Sequence, residues 1–97
     1  MEHSICENFE MHVIIKGSVQ GVGFRSMTRY HALELKLHGT VRNLPNGTVE
    51  ICAQGSRLKL ENLIKKLREE TSPGQIEEAT IEYFPIQTAH SDFHILH

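Results

Sequence analysis

From Phe9 to Lys16 the chain alternates, with Phe9, Met11, Val13 and Ile15 on one side of a period-two pattern and Glu10, His12 and Lys16 largely on the other. This is the pattern of a half-buried strand. Beyond a glycine-rich stretch the apolar spacing changes to threes and fours. Phe24, Met27, Thr28, His31, Ala32 and Leu35 then mark one face of a helix, with Gly39 expected as its stop. Alternation returns over Gly39–Leu44, and Pro45, Asn46 and Gly47 supply a hairpin signal, since Asn and Gly both tolerate positive φ. A third strand follows over Thr48–Gly55, with Val49, Ile51 and Ala53 on one face and Glu50, Cys52 and Gln54 on the other. Ser56 is placed to cap a second helix whose core stripe is Leu60, Leu63, Ile64 and Leu67, broken at Ser72-Pro73-Gly74. A fourth strand is expected over Ile76–Ile86, and a short last one over Asp92–His97 in which Phe93 and Ile95 share a face. Residues 1–8 read as a loose polar lead-in.

The order β-α-β-β-α-β with a short C-terminal strand predicts an α+β fold, the ferredoxin-like split βαβ sandwich, with an antiparallel sheet and two helices on one face. With 97 residues, 39% of them apolar, residues 1–97 suit a single domain with one core. That architecture serves many functions, so the site must decide.

Composition removes several classes. A formal net charge of −2 provides no broad basic field for polyanions. The third strand, TVEICAQG, lacks the aromatic rings with which RNA-recognition modules of this topology stack bases, so no nucleic-acid partner is expected. Apolar runs are only a few residues long and no leader is evident, which predicts a cytoplasmic protein with no membrane partner. Cys6 and Cys52 form no CxxC pair and are read as reduced bystanders. Histidines stand at positions 3, 12, 31, 38, 90, 94 and 97 without the compact spacing of a zinc site. His94 and His97 would point to opposite faces of a strand. Scattered surface histidines are the reading, with no metal.

Two stretches carry chemistry. Residues 17–25 read GSVQGVGFR, placed where the first strand hands over to the first helix. Backbone N–H groups of a glycine-rich turn can converge with the first unpaired N–H groups of the following helix on one anion. Gly21 and Gly23 would permit the backbone such a nest needs, and Arg25, in the first turn, offers a planar fork for two oxygens. Neither GxxxxGK[ST] nor GxGxxG is present, since Ser26 stands where the last glycine of the second pattern belongs. The other stretch is residues 39–49, GTVRNLPNGTV. Asn43 falls at the end of the second strand, where its carboxamide could orient a water or merely shape the turn.

On these residues the sequence resembles the acylphosphatases. IKGSVQGVGFR fits the phosphate-loop pattern of that family, and GTVRNLPNGTVEICAQG fits its second signature with one departure: Thr40 stands at the usual aromatic position, which is expected to remove a packing ring near the site. The resemblance spans essentially the whole chain and includes the F-x-I ending at Phe93 and Ile95. It implies a hydrolase acting on acid anhydrides, cleaving the carboxyl–phosphate bond of acyl phosphates to a carboxylate and inorganic phosphate. It further implies that the backbone of Gln20, Gly21, Val22, Gly23 and Phe24 and the guanidinium of Arg25 hold the phosphoryl group while Asn43 orients the attacking water. Inorganic phosphate is then both product and competitive inhibitor, no cofactor is needed, and a monomer is expected. Two rivals remain: an anion sensor using the same loop without catalysis, and the acylphosphatase-like part of a larger carbamoyl-phosphate-using maturation protein, against which the end of the chain at His97 favours a stand-alone enzyme.

Overall fold

In a computed structural model, described for residues 7–21 and 23–97, seven elements follow in order: β1 (Asn8–Gly17), α1 (Phe24–Glu34), β2 (His38–Asn43), β3 (Val49–Ser56), α2 (Arg57–Glu70), β4 (Ile76–Pro85) and β5 (Phe93–Leu96). They form one five-stranded sheet in the order β4-β1-β3-β2-β5. β1 and β2 flank β3, the split βαβ arrangement, and β1–β4, β1–β3 and β2–β3 pair antiparallel. The terminal strand is the one departure from a wholly antiparallel sheet, because β5 joins β2 in parallel. Six residues of the expected lead-in, Cys6 among them, lie outside the described residues, and β1 already begins at Asn8.

Period-two alternation builds the core. Met11, Val13 and Ile15 from β1, Val41 from β2, and Val49, Ile51 and Ala53 from β3 are essentially inaccessible on one face. Register aligns them, with Met11 opposite Ala53 and Val13 and Val41 both opposite Ile51. Phe24 and Ala32 of α1 and Leu60, Leu63 and Leu67 of α2 close over that face. α2 begins as its sequence predicts, with the Ser56 hydroxyl accepting from the Lys59 N–H.

α1 ends differently from the expectation. Lys36, not Gly39, terminates it, with φ 58 in the left-handed region. The Leu37 N–H reaches Ala32 O at 2.8 Å and the Lys36 N–H reaches Leu33 O at 3.0 Å, the paired bonds of a Schellman end. Gly39 belongs to β2, where its lack of a side chain answers a packing demand: a Cβ there would stand 1.8 Å from Cys52 O. The hairpin differs too. Gly47 N–H bonds Leu44 O and Leu44 N–H bonds Thr48 O, and Gly47 alone of the Asn-Gly pair takes positive φ. The turn is therefore a Pro45-Asn46 type I turn closed by a left-handed glycine.

Strand order also dictates a crossing. β4 and β5 occupy opposite edges, so the segment 86–92 must travel across the molecule. It does so past the face that the helices leave open, where the buried Gln54 side chain receives the His90 N–H on Oε1 and donates to Thr88 O.

Candidate active site

The glycine-rich stretch connects β1 to α1. Gly21 and Gly23 have φ 77 and 76, and a Cβ on either would meet no protein atom within 4 Å. Conformation, not space within the protein, is what asks for glycine there. Gly23 is the N-cap of α1 and offers no side-chain cap; the first turn of the helix carries no acid. The Met27 N–H bonds Gly23 O at 3.0 Å, and the amides of a helix's first turn have no acceptor within the helix itself. α2, with its serine cap, shows the contrast.

A recess of about 120 Å³ lies here, lined by Val19, Gly21, Gly23, Phe24, Arg25, Ser26, Ile95 and His97. Arg25 is partly buried, and among the described residues no carboxylate lies within 4 Å of its guanidinium and nothing accepts a hydrogen bond from it. Phe24 lines the recess and is also part of the core, at 2% exposure. Val22, expected in the cradle, lies outside the described residues. A larger groove of about 660 Å³ shares Gly23 and Phe24 with the recess and runs on to Met27 and to residues 70–75. The recess, not the groove, is lined by Arg25 in the first turn of α1.

Gln20 does something the sequence did not reveal. Its side-chain amide donates to both Leu44 O at 2.9 Å and Thr48 O at 2.8 Å, so both N–H groups clamp the loop onto the β2–β3 hairpin. Asn43 ends β2 immediately before Leu44. Its Oδ1 is buried and has no hydrogen-bond partner among the described residues. The turn is shaped by Asn46 instead, whose Oδ1 accepts from the Thr48 N–H and hydroxyl. Ile95 and His97 were also missed as lining residues; only the parallel docking of β5 on β2 carries them to the start of α1.

Thr40 is not where the sequence reading put it. Alternation turns it away from the core, between Cys52 and His94 on the face opposite the helices and roughly 10 Å along the strand from Asn43. The packing ring missing at this position is missing from that outer face, not from the loop.

An open, mostly antiparallel sheet with two helices on one face and a glycine-rich loop between β1 and α1 defines a small α+β domain of the ferredoxin-like kind. The acylphosphatase family profile matches residues 11–95, and the chain belongs to the acylphosphatase family, a family of hydrolases. It is 37% identical over 86 residues to an acylphosphatase of Chlorobaculum tepidum, covering 89% of this chain and 94% of that one. The crystal structure of acylphosphatase from Bacillus subtilis superposes with a TM-score of 0.85 at 28% identity, covering 92% of this chain and 99% of that chain. T. kodakarensis HypF superposes with a TM-score of 0.78 at 30% identity, over 90% of this chain but 12% of that much longer one. No helix among the described residues is long and apolar enough to cross a membrane.

Proposed function

We propose that this protein hydrolyses acyl phosphates, with the backbone of Gln20–Phe24 and the Arg25 guanidinium gripping the phosphoryl oxygens and Asn43 orienting the attacking water. The observation that carries this reading is the buried, unpartnered Asn43 Oδ1 beside a loop that Gln20 pins to the same hairpin. A buried acceptor without a partner needs an explanation, and a water held for attack is one. Arg25 opposes the α1 dipole where it stands, and a bound phosphoryl group would resolve that conflict for both.

The chemistry asks for little more. The carboxylate is a good leaving group, so the reaction needs positioning and stabilisation of charge on the phosphoryl oxygens rather than a strong base. The guanidinium fork and the convergent N–H groups meet developing negative charge, and the Asn43 carbonyl oxygen accepts a hydrogen bond from the water, aligning its lone pair with phosphorus. Neither a metal nor a covalent enzyme intermediate takes part.

The test is disappearance of a simple aromatic acyl phosphate, followed by ultraviolet absorbance in the presence of EDTA. Arg25→Ala is expected to lose turnover and inhibition by inorganic phosphate together; Asn43→Ala is expected to lose turnover and keep phosphate inhibition. Phosphate binding that depends on Arg25 with no turnover in the wild-type protein would instead define an anion sensor.

A further inference from the structure

The face of the sheet opposite the helices holds a second constellation, unrelated to the phosphate loop. Glu10 and His12 stand two apart on β1 and so project to the same side. Cys52 of β3 lies directly across from His12 in the register, and Gln54 across from Glu10. One oxygen or nitrogen from each of Glu10 and His12 and the Cys52 sulfur all lie within 4.8 Å of one another. They line a cavity of about 370 Å³ together with Phe84, Thr88 and His90.

We propose that Glu10, His12 and Cys52 form a binding site for a borderline-soft divalent cation, Zn²⁺, on the open face of the sheet, with the crossing segment 86–92 as its wall.

The donor set is the first argument. Thiolate, imidazole and carboxylate are the three side-chain ligands of zinc, and thiolate discriminates against the hard cations. Zinc bond lengths of about 2.0 Å to nitrogen and 2.3 Å to sulfur put tetrahedral neighbours roughly 3.3–3.5 Å apart, so the Cys52 sulfur, within 4.8 Å of the other donors, closes in by up to about 1.3 Å while Glu10 Oε2 and His12 Nε2, now 2.6 Å apart, open by about 0.7 Å. The second argument is the support behind them. Gln54, 5% exposed, donates to Glu10 Oε1 at 2.7 Å and to Thr88 O at 2.8 Å, and accepts the His90 N–H at 2.9 Å. One buried amide thus fixes the carboxylate and holds the segment that bears a second imidazole, the kind of outer partner that orients metal ligands. Oε2 of the same carboxylate faces His12 Nε2 at 2.6 Å, already aimed at the cluster. Thr40, beside Cys52 in the register, leaves the thiol without a ring over it.

Glu50 is paired with Arg42 at 2.7 Å, whereas Glu82 stands opposite His12 and adds negative charge favourable to a cation. Without metal the thiol keeps its proton. Zinc binding forms the Zn–S bond and releases that proton to solvent, while His12 binds through Nε2 with its remaining proton on Nδ1. His90 or a water fills the fourth position. The site lies apart from the loop, so it rests on none of the reasoning about hydrolysis.

The test uses the purified full chain, stripped with a chelator, then titrated with Co²⁺ and back-titrated with Zn²⁺, with circular dichroism melts to verify that each variant is folded. One equivalent of Co²⁺ is expected to give a thiolate-to-cobalt charge-transfer band and tetrahedral d–d bands, both removed by Zn²⁺. The band is expected to survive Cys6→Ser and vanish in Cys52→Ser. Zn²⁺ affinity, read by competition with a chromophoric chelator, is expected to fall at least tenfold in His12→Gln, a change on a half-exposed side chain. His90→Gln separates an imidazole from a water at the fourth position: weakening assigns His90, and unchanged affinity assigns the water. No band in the wild type, a band lost with Cys6 instead of Cys52, or equal affinity in His12→Gln would overturn the proposal.

Discussion

Replacing Gln20 with Met keeps the length of the side chain and removes both donors to the hairpin, so it isolates the clamp between the glycine-rich loop and the strand end that carries Asn43. A hydrogen bond of this kind contributes about 0.5–1.5 kcal/mol net. The acceptors are not orphaned by the change, because Leu44 O still receives the Gly47 N–H and Thr48 O still receives the Leu44 N–H. The loss should therefore fall in the lower half of the summed range, about 1–2 kcal/mol, and a domain of this size then melts roughly 4–16 °C lower. Activity should suffer more than stability, since misplacing a reacting group by about 1 Å can cost 10²-fold; a ten- to hundredfold fall in kcat/KM is expected. Gln20→Glu sharpens the test. Its carboxylate has nothing to donate, faces two carbonyl oxygens and sets negative charge in the proposed anion cradle, so it should be worse than Met in both readouts. Thermal melts and acyl phosphate kinetics on the two variants decide. A Gln20→Met protein melting within about 2 °C of the wild type with unchanged kinetics would refute the clamp, and a Glu variant better than Met would refute the electrostatic part.

Three further outcomes follow from the backbone and from the thiol. Lys36→Gly relieves a left-handed lysine at the end of α1, and after the entropy of the added glycine it should stabilise by roughly 0.5–1 kcal/mol; a lower melting temperature would contradict the strain. Gly39→Ala would drive a Cβ to within 1.8 Å of Cys52 O, a backbone atom with no room to yield, at φ 147, and should cost upwards of about 3 kcal/mol in urea unfolding. Burial, then the charge of Glu10, a hydrogen bond to it and the charge of Glu50, push the Cys52 thiol up to about 12 from 9.0. A raised pKa of this kind stabilises the fold below pH 9, and the contribution is lost as pH rises from 9 toward 12. In the metal-free protein iodoacetamide at pH 8 should modify Cys52 slowly when folded and readily in urea, as read by peptide mass mapping; equal rates would sink the assignment.

What was legible in the sequence was local. The parity of Met11, Val13 and Ile15, the Leu60–Leu63–Leu67 stripe and the Ser56 cap each depend on neighbours within a few residues, and each is where the pattern put it. The strand-to-helix glycine loop was legible for the same reason. Lys36 was not, because a left-handed lysine breaks the residue preference that pointed to Gly39; the packing of Leu37 into the core, wholly buried, holds the turn against that preference. The Gln20 clamp spans 24 and 28 residues, and nothing in GSVQGVGFR says where its amide points.

The same division explains why the two candidate sites differ in visibility. The proposed phosphate cradle is one contiguous loop, and the backbone donors it would use travel with it, so a motif can encode it. The outer-face cluster exists only because β1 and β3 pair with His12 opposite Cys52. A one-residue slip would turn Cys52 into the core and scatter the set. That register is fixed by the buried face, where Val13 meets Ile51 and Met11 meets Ala53, so the core that carries the helices also determines which polar side chains meet on the other side. Polar side chains that look scattered along the strand sequences can thus converge without any spacing signature. Changes to the core that preserve register should leave the outer cluster intact, whereas Gly39→Ala, which strikes the backbone of Cys52, should disturb zinc binding along with stability.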